Sequence, residues 1–327
     1  MKNHPLRRLI PLVLAAVLTT TAALAVGGQT SAPGNAPIAQ TQSFETCKNV
    51  AYTGRLTGVS PRGETLTFQL VEKPARGSLE ITDATTGEFV YTPYENKTGK
   101  DSFTFSVTDA TGATSEPAKV TLRIRKPSTK VNYADMAGEP SHNAAIRLAE
   151  KDVFVGERIG DAYYFRPDET VSRNQFIALA MSALDKEPLA GAMTTGFADD
   201  AAIPTWSKGY ISAALQQGVV RGYPDGEGRV VFAPDDTVTR AEAAVILNRM
   251  LEVSDVAVTT FYADTASAPA WAFQAAVNLE RSGVLTTTSA GELALSEPLT
   301  RGQCAQLLAG ALDVVEARET TGWFNWW

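Results

Sequence analysis

Tyr133-Ala134-Asp135, Phe197-Ala198-Asp199 and Tyr262-Ala263-Asp264 recur 64 and 65 residues apart. This spacing constrains the C-terminal half of the chain more than any other feature. A segment repeated at a fixed period is one supersecondary unit, and such a unit hides its apolar face by packing against its own copies. Nine residues after each aromatic stand His142, Trp206 and Trp271. Each unit then runs through a helical stretch and a turn-rich loop into a second apolar helix. That helix is opened by Ser172-Arg173-Asn174-Gln175, Thr239-Arg240-Ala241-Glu242 or Thr300-Arg301-Gly302-Gln303.

The three openings share a Ser/Thr-x-x-Glu/Gln capping box with an arginine just inside it. A cation in the first turn is disfavoured by roughly 0.3–1 kcal/mol, because the helix N-terminus is itself partially positive. Three such cations need a reason. The simplest is that guanidinium and exposed N–H groups together receive an external anion, a carboxylate or a phosphate. Arg240, Arg301 and Arg173 are therefore the leading candidate ligand-binding residues, while the Ser/Thr and Glu/Gln positions are assigned to capping. Trp206 and Trp271 suit either a flat ligand or packing between units. Asp135, Asp199 and Asp264 join the candidates, although capping or turning the approach to the first helix explains them as well. His142 is expected to be a surface or packing residue.

The N-terminal half has a different period. Leu66-Thr67-Phe68-Gln69-Leu70, Phe89-Val90-Tyr91, residues 102–108 and Val120-Thr121-Leu122-Arg123-Ile124 alternate apolar and polar residues, and Thr86-Gly87, Thr98-Gly99 and Thr111-Gly112 separate them. This predicts an all-β sandwich over 43–126, followed by a short hinge at 127–132. Gly77-Ser78-Leu79, Phe89-Val90-Tyr91-Thr92-Pro93 and Gly99-Lys100-Asp101-Ser102-Phe103 resemble the bacterial Ig-like, cadherin-like repeats of surface proteins. The acidic calcium-holding loop of those relatives is replaced here by Ser60-Pro61-Arg62-Gly63-Glu64, so no metal is expected.

Lys2, Arg7 and Arg8 precede an apolar run and Ala23-Leu24-Ala25, which reads as an export signal over 1–25. Residues 26–42 read as a flexible Gly/Ser/Pro/Thr/Gln spacer. Removing the signal takes away three positive charges and no acids, moving the formal net charge from −7 to −10. An acidic body argues against nucleic acid as partner, and no later apolar stretch is long enough for a transmembrane helix. Cys47 and Cys304 fall in different domains and predict neither a disulfide framework nor a metal site. With a single histidine after the signal, a histidine-based triad or metal centre is not expected either.

The repeated half resembles the S-layer homology (SLH) family in three copies, over 133–190, 191–255 and 256–315. The middle copy carries Phe197-Ala198-Asp199, Trp206, Gly218, Gly222-Tyr223-Pro224-Asp225-Gly226 and Thr239-Arg240-Ala241-Glu242 in family order. The first copy has His142 at the tryptophan position and Gly156-Glu157 at the loop. The third has Thr286-Thr287-Thr288-Ser289 there. The resemblance implies a multidomain protein, an all-β Ig-like sandwich followed by an all-α, pseudo-threefold helical bundle. It further implies grooves that bind secondary cell-wall polysaccharide, often through a pyruvylated sugar, whose carboxylate an arginine fork can meet. The expected protein is thus exported, held non-covalently at the cell wall or S-layer, without cofactor or enzymatic activity, and displays a sandwich whose own protein or glycan ligand is unidentified. Two rival readings stand beside this one: an adhesion or assembly protein working through protein–protein contacts, and a wall-glycan hydrolase using paired carboxylates. The tail over 316–327 ends in four aromatics within five residues, suited to packing back on the bundle, to a neighbouring protein or to a membrane interface.

Overall fold

The computed structural model describes residues 36–322. The expected signal, most of the spacer and the aromatic run at 323–327 lie outside them. The sandwich is built from β1 (Ile38–Ala39), β2 (Gln42–Cys47), β3 (Tyr52–Arg55), β4 (Gly58–Val59), β5 (Leu66–Glu72), β6 (Gly77–Asp83), β7 (Glu88–Pro93), β8 (Gly99–Asp109) and β9 (Ala118–Arg125). It therefore starts within the stretch read as spacer. One sheet has the order β2-β9-β8-β5, with β2 parallel to β9, and the other has the order β3-β7-β6, while β1 and β4 form a short ribbon. Alternation along β9 sends Ala118, Val120, Leu122 and Ile124 inward, where they meet Phe89, Tyr91, Phe103 and Phe105. Asp101, buried in this core, accepts from the N–H groups of Ala75, Arg76 and Ser102 and from the Tyr91 hydroxyl. Burial alone would raise its pKa, but those donors outweigh it and hold the carboxyl below its ordinary value.

The period then changes and helices follow: α1 (His142–Glu150), α2 (Arg173–Ala183), α3 (Thr205–Gln216), α4 (Arg240–Leu251), α5 (Ala270–Arg281) and α6 (Arg301–Gly322). The region is not all helical. Two ribbons, β10 (Glu157–Ile159) with β11 (Ala162–Tyr164) and β12 (Tyr223–Pro224) with β13 (Val230–Val231), fill the loops between the helices of the first two units. Gly156 and Gly222 let these ribbons close, since a Cβ there would come within 2.5 Å of the main-chain oxygens of Tyr164 and Val231.

The connections between units form a cycle. Helix α2 packs on α3 of the second unit, α4 on α5 of the third, and α6 on α1 of the first. At the centre, the extended residues before the capped helices bond in a closed ring: Val171 N–H donates to Leu299, Leu299 N–H to Val238, and Val238 N–H to Val171, at 2.8–3.0 Å. All three side chains are buried, so burial of apolar surface and satisfaction of main-chain groups occur at the same point.

Sandwich and helices share more than a hinge. Cys47, the last residue of β2, and Val50, in the turn that follows, are buried in the helical core. Asn143 of α1 accepts from Cys47 N–H at 3.0 Å and donates to the Ala51 oxygen at 3.0 Å. Glu150 takes Arg125 at 2.6 Å and the Ser128 N–H at 2.6 Å, which ties down the segment read as a hinge. Both cysteines are free and buried, and burial pushes Cys304 up to about 12, consistent with a packing role.

Candidate functional site

Each of the three arginines opens its helix and reaches into the next unit of the cycle. Arg173 Nε donates to the main-chain oxygen of Phe232 at 3.0 Å, Arg240 Nε to that of Leu293 at 3.0 Å, and Arg301 Nε to that of Phe165 at 2.6 Å. A charge-assisted bond of this kind contributes about 1.5–3 kcal/mol, more than the roughly 0.3–1 kcal/mol dipole penalty. The recurring cation thus has an internal reason, a staple between units, that reading the boxes alone did not supply. The signal was present as spacing: each acceptor stands eight residues before the arginine of its own unit.

The aspartates hold those acceptors in place. Asp135 accepts from the N–H groups of Phe165 and Arg166, Asp199 from Phe232 and Ala233, and Asp264 from Leu293 and Ala294, all at 2.7–2.9 Å. Arg166, Ala233 and Ala294 have φ of 55°, 56° and 51°, a left-handed conformation that side chains other than glycine adopt at a cost of about 1–2 kcal/mol. The clamp stabilises that turn and turns the preceding carbonyl toward the arginine. The three aspartates thus serve a turn, one of the two roles the residues allowed them.

Beyond the shared Nε bond the three guanidinium groups differ. Arg173 is 5% exposed, pairs with Glu242 at 3.0 Å and lies under the Tyr223 ring at 4.5 Å. Glu242 also accepts from the Tyr223 hydroxyl and from Thr239 N–H, so its carboxylate serves the box and the arginine at once. Arg240 is 7% exposed and gives Nη2 to the Thr286 oxygen at 2.9 Å; among the described residues no carboxylate lies within ion-pair distance of it. Arg301 lies over Phe154 at 4.6 Å and has no carboxylate at ion-pair distance among the described residues, although Glu169 acts on it and, with Glu157, lines a further hollow of about 360 Å³ on which Arg301 also opens. Burial depresses the pKa of both Arg240 and Arg301, yet a guanidinium remains charged.

The residue at the third helical position of the neighbouring box accounts for the difference. Arg173 faces Glu242, whereas the hollows beside Arg240 and Arg301 present the neutral amides Gln303 and Gln175. Only the first arginine has a carboxylate at ion-pair distance among the described residues; Asp264 acts on Arg240 and Glu169 on Arg301 from farther off.

Three grooves result, each assembled across units. One of about 330 Å³ combines Arg301 with Trp206, Tyr210, Gln175 and Phe154. A second, of about 400 Å³, combines Arg173 and Glu242 with Trp271 and Tyr223, and Arg221 and Arg249 line it as well. The third, of about 810 Å³, holds Arg240 and Gln303. Each tryptophan therefore meets an arginine from a different repeat than its own. At 57% and 63% exposure, Trp206 and Trp271 are not packing anchors. His142, at the corresponding place in the first unit, is buried against Tyr133.

Comparison with known proteins gives two domain matches: the bacterial Ig domain over residues 34–123 and the S-layer homology domain over residues 196–244. The chain carries one Ig domain and one S-layer homology domain. Residues 196–244 contain Asp199, Trp206, Arg240 and Glu242, while Arg173, Trp271 and Arg301 come from the flanking units. The Surface-layer 125 kDa protein of Lysinibacillus sphaericus is 32% identical over 32% of this chain and 9% of its own length. The Cellulosome-anchoring protein of Acetivibrio thermocellus is 26% identical over 38% and 27%. Exoglucanase XynX of Acetivibrio thermocellus is 32% identical over 41% of this chain, but the match spans only 12% of that enzyme. The S-layer homology domain and these surface relatives make this a protein of the cell wall or cell surface. No helix among the described residues is long and apolar enough to cross a membrane, and none of their His, Cys, Asp and Glu side chains cluster in a way that could hold a metal.

Proposed function

We propose that the chain is anchored non-covalently to the cell wall by three S-layer-homology units, arranged about a pseudo-threefold axis, and displays the Ig sandwich there. Acidic wall polysaccharide, a pyruvylated one in particular, is the ligand. The observation that carries this reading is the Arg301 groove: a guanidinium with no carboxylate at ion-pair distance among the described residues lies in the same hollow as a tryptophan more than half exposed. A ketal-linked carboxylate meets the guanidinium, and the apolar face of the sugar lies on the indole. The cycle of helix pairs and staples supports three equivalent units, with the family match lying over the middle one. Two modest grooves on one polymer, those of Arg301 and Arg240, would hold by avidity.

The relatives include an anchoring protein and a surface-layer protein, which fits this reading. The glycosidase relative matches over too small a share of its length to transfer its chemistry, and no catalytic role is proposed. Sedimentation with cell-wall sacculi tests the proposal, before and after mild acid removal of pyruvate ketals. Trp206→Ala, at an exposed position, should weaken retention about tenfold, the equivalent of ~1.4 kcal/mol, with unchanged thermal unfolding. Retention that survives both acid treatment and Trp206→Ala would reject the acidic-sugar mechanism.

A further inference from the structure

The third groove lacks a tryptophan because His142 is buried, yet it is the largest of the three, and its outer wall is not helical. Ser43, Phe44, Glu45, Thr46, Tyr52 and Thr53 of the sandwich line it, opposite Arg240 and Gln303. Phe44 and Tyr52 are half-buried rings 4.9 Å apart that pack on the sandwich core against Phe89 and turn only their remaining surface to the cleft, and Ser43, Glu45 and Thr53 are exposed. We propose that the Ig sandwich supplies the missing aromatic wall, so that the sandwich and the helical units together form a composite site for a longer acidic saccharide.

This deepens the wall-binding reading and rests on it. The charges around the cleft decide where the anion goes. Arg125 is taken by Glu45 at 2.9 Å and Glu150 at 2.6 Å, and Arg147 by Asp313 at 2.5 Å and Glu316 at 2.9 Å. Arg240 is the lining arginine with no carboxylate at ion-pair distance among the described residues, Asp264 acting on it only from farther off, and it is more than nine-tenths buried. A saccharide carboxylate therefore belongs at Arg240. The neighbouring ring lies toward Tyr52, with Ser43, Thr53 and Gln303 as partners for its hydroxyls. At about 810 Å³ against about 330 Å³, the cleft has room for more sugar than the Arg301 groove. The sandwich is held to this geometry by Asn143 and by Cys47 and Val50 in the helical core, so the wall is preformed.

The test is amide chemical-shift mapping of the full chain with a small pyruvate-ketal sugar and with the same sugar lacking the ketal, accompanied by titration calorimetry. The ketal sugar should perturb amides of residues 43–53 together with those around Arg240, separately from those around Arg301 and Trp206. Tyr52→Leu should weaken the composite site about tenfold, by loss of the ring face, and leave the Arg301 site unchanged. Thr53→Trp, placed at an exposed position to fill the cleft, should remove one site from the stoichiometry without lowering thermal stability. If the Arg301 groove responds and residues 43–53 do not, the composite site is wrong while the wall-binding reading stands. If neither groove responds, both fall.

Discussion

Arg301 Nε lies 2.6 Å from the main-chain oxygen of Phe165, a residue 136 positions earlier, and this bond latches the last unit to the first. The N–H groups of Arg301 and Gly302 continue the latch by donating to Glu169 and Pro167 at 2.7 and 2.8 Å. A helical region whose ends meet in this way loses its outer units together.

Replacing Arg301 with lysine keeps the charge but removes the Nε–H that faces Phe165. The expected loss is about 1.5–3 kcal/mol, the worth of one hydrogen bond to a charged group. Urea unfolding should show the lower midpoint, and hydrogen exchange should quicken at the amides of both Arg301 and Val171, which sit on opposite sides of the latch.

Asp199→Ala removes the acceptor for two N–H groups beside the left-handed Ala233, at an expected cost of about 2–3 kcal/mol. Adding Ala233→Gly should recover about 0.5–1 kcal/mol, because glycine adopts φ of 56° without the Cβ clash. Chemical denaturation of the single and double variants measures both numbers. A double variant no more stable than Asp199→Ala would show that the carboxylate does not act through this turn.

How much of this was readable from the residues depends on whether the feature was local. The two periods of apolar spacing separated sandwich from helices, since β9 alternates strictly and α4 opens on its capping box as written. The turn role of Asp135, Asp199 and Asp264 was one of the two readings open to them. The partners of Arg173, Arg240 and Arg301 were not legible, because each lies in another unit and a repeat seen along the chain suggests contacts within itself. For the same reason nothing in the residues pairs Trp206 with Arg301, an arginine of the following unit, in whose hollow it lies. The ribbons β10–β11 and β12–β13 were missed because each strand is two or three residues long, too short for alternation to show.

Asn143 bridges Cys47 and Ala51, so Asn143→Ala should uncouple the sandwich from the helices without unfolding either core. Calorimetry is expected to change from one broad cooperative transition toward two, with the junction weakened by about 1–3 kcal/mol through unsatisfied main-chain groups.

His142 is buried with Nε2 unpartnered, and burial lowers its pKa despite the bond to Met136 and the charge of Asp135. The unfolded chain, with a histidine near 6.5, then binds protons more readily than the folded one, so stability is fully present above about pH 6.5 and declines as pH falls through and below it. The slope can reach about 1.4 kcal/mol per pH unit for one group. His142→Gln should flatten the dependence between pH 5 and 6.5, where carboxylates contribute little, and urea midpoints at half-unit intervals would show it.

Glu242 pairs with Arg173 in a groove that Arg221 and Arg249 also line, and exchanging it tests whether that carboxylate keeps an anion off Arg173 itself. Glu242→Gln preserves the capping box, because Gln175 and Gln303 hold the same position and accept from Ser172 and Thr300 N–H at 3.1 Å. It removes the charge partner of a 5% exposed Arg173, which should cost about 1–3 kcal/mol without ligand. Arg240 and Arg301 already persist without such a partner, so the fold should survive. A pyruvate-ketal sugar that binds wild type should then bind the variant with one more site, at the groove holding Trp271, and raise its melting temperature more than that of wild type. Calorimetry at low and moderate salt separates the outcomes. An unchanged stoichiometry would mean that neutralising Arg173 is not what closes this groove, and the arginines would have to be read as staples alone.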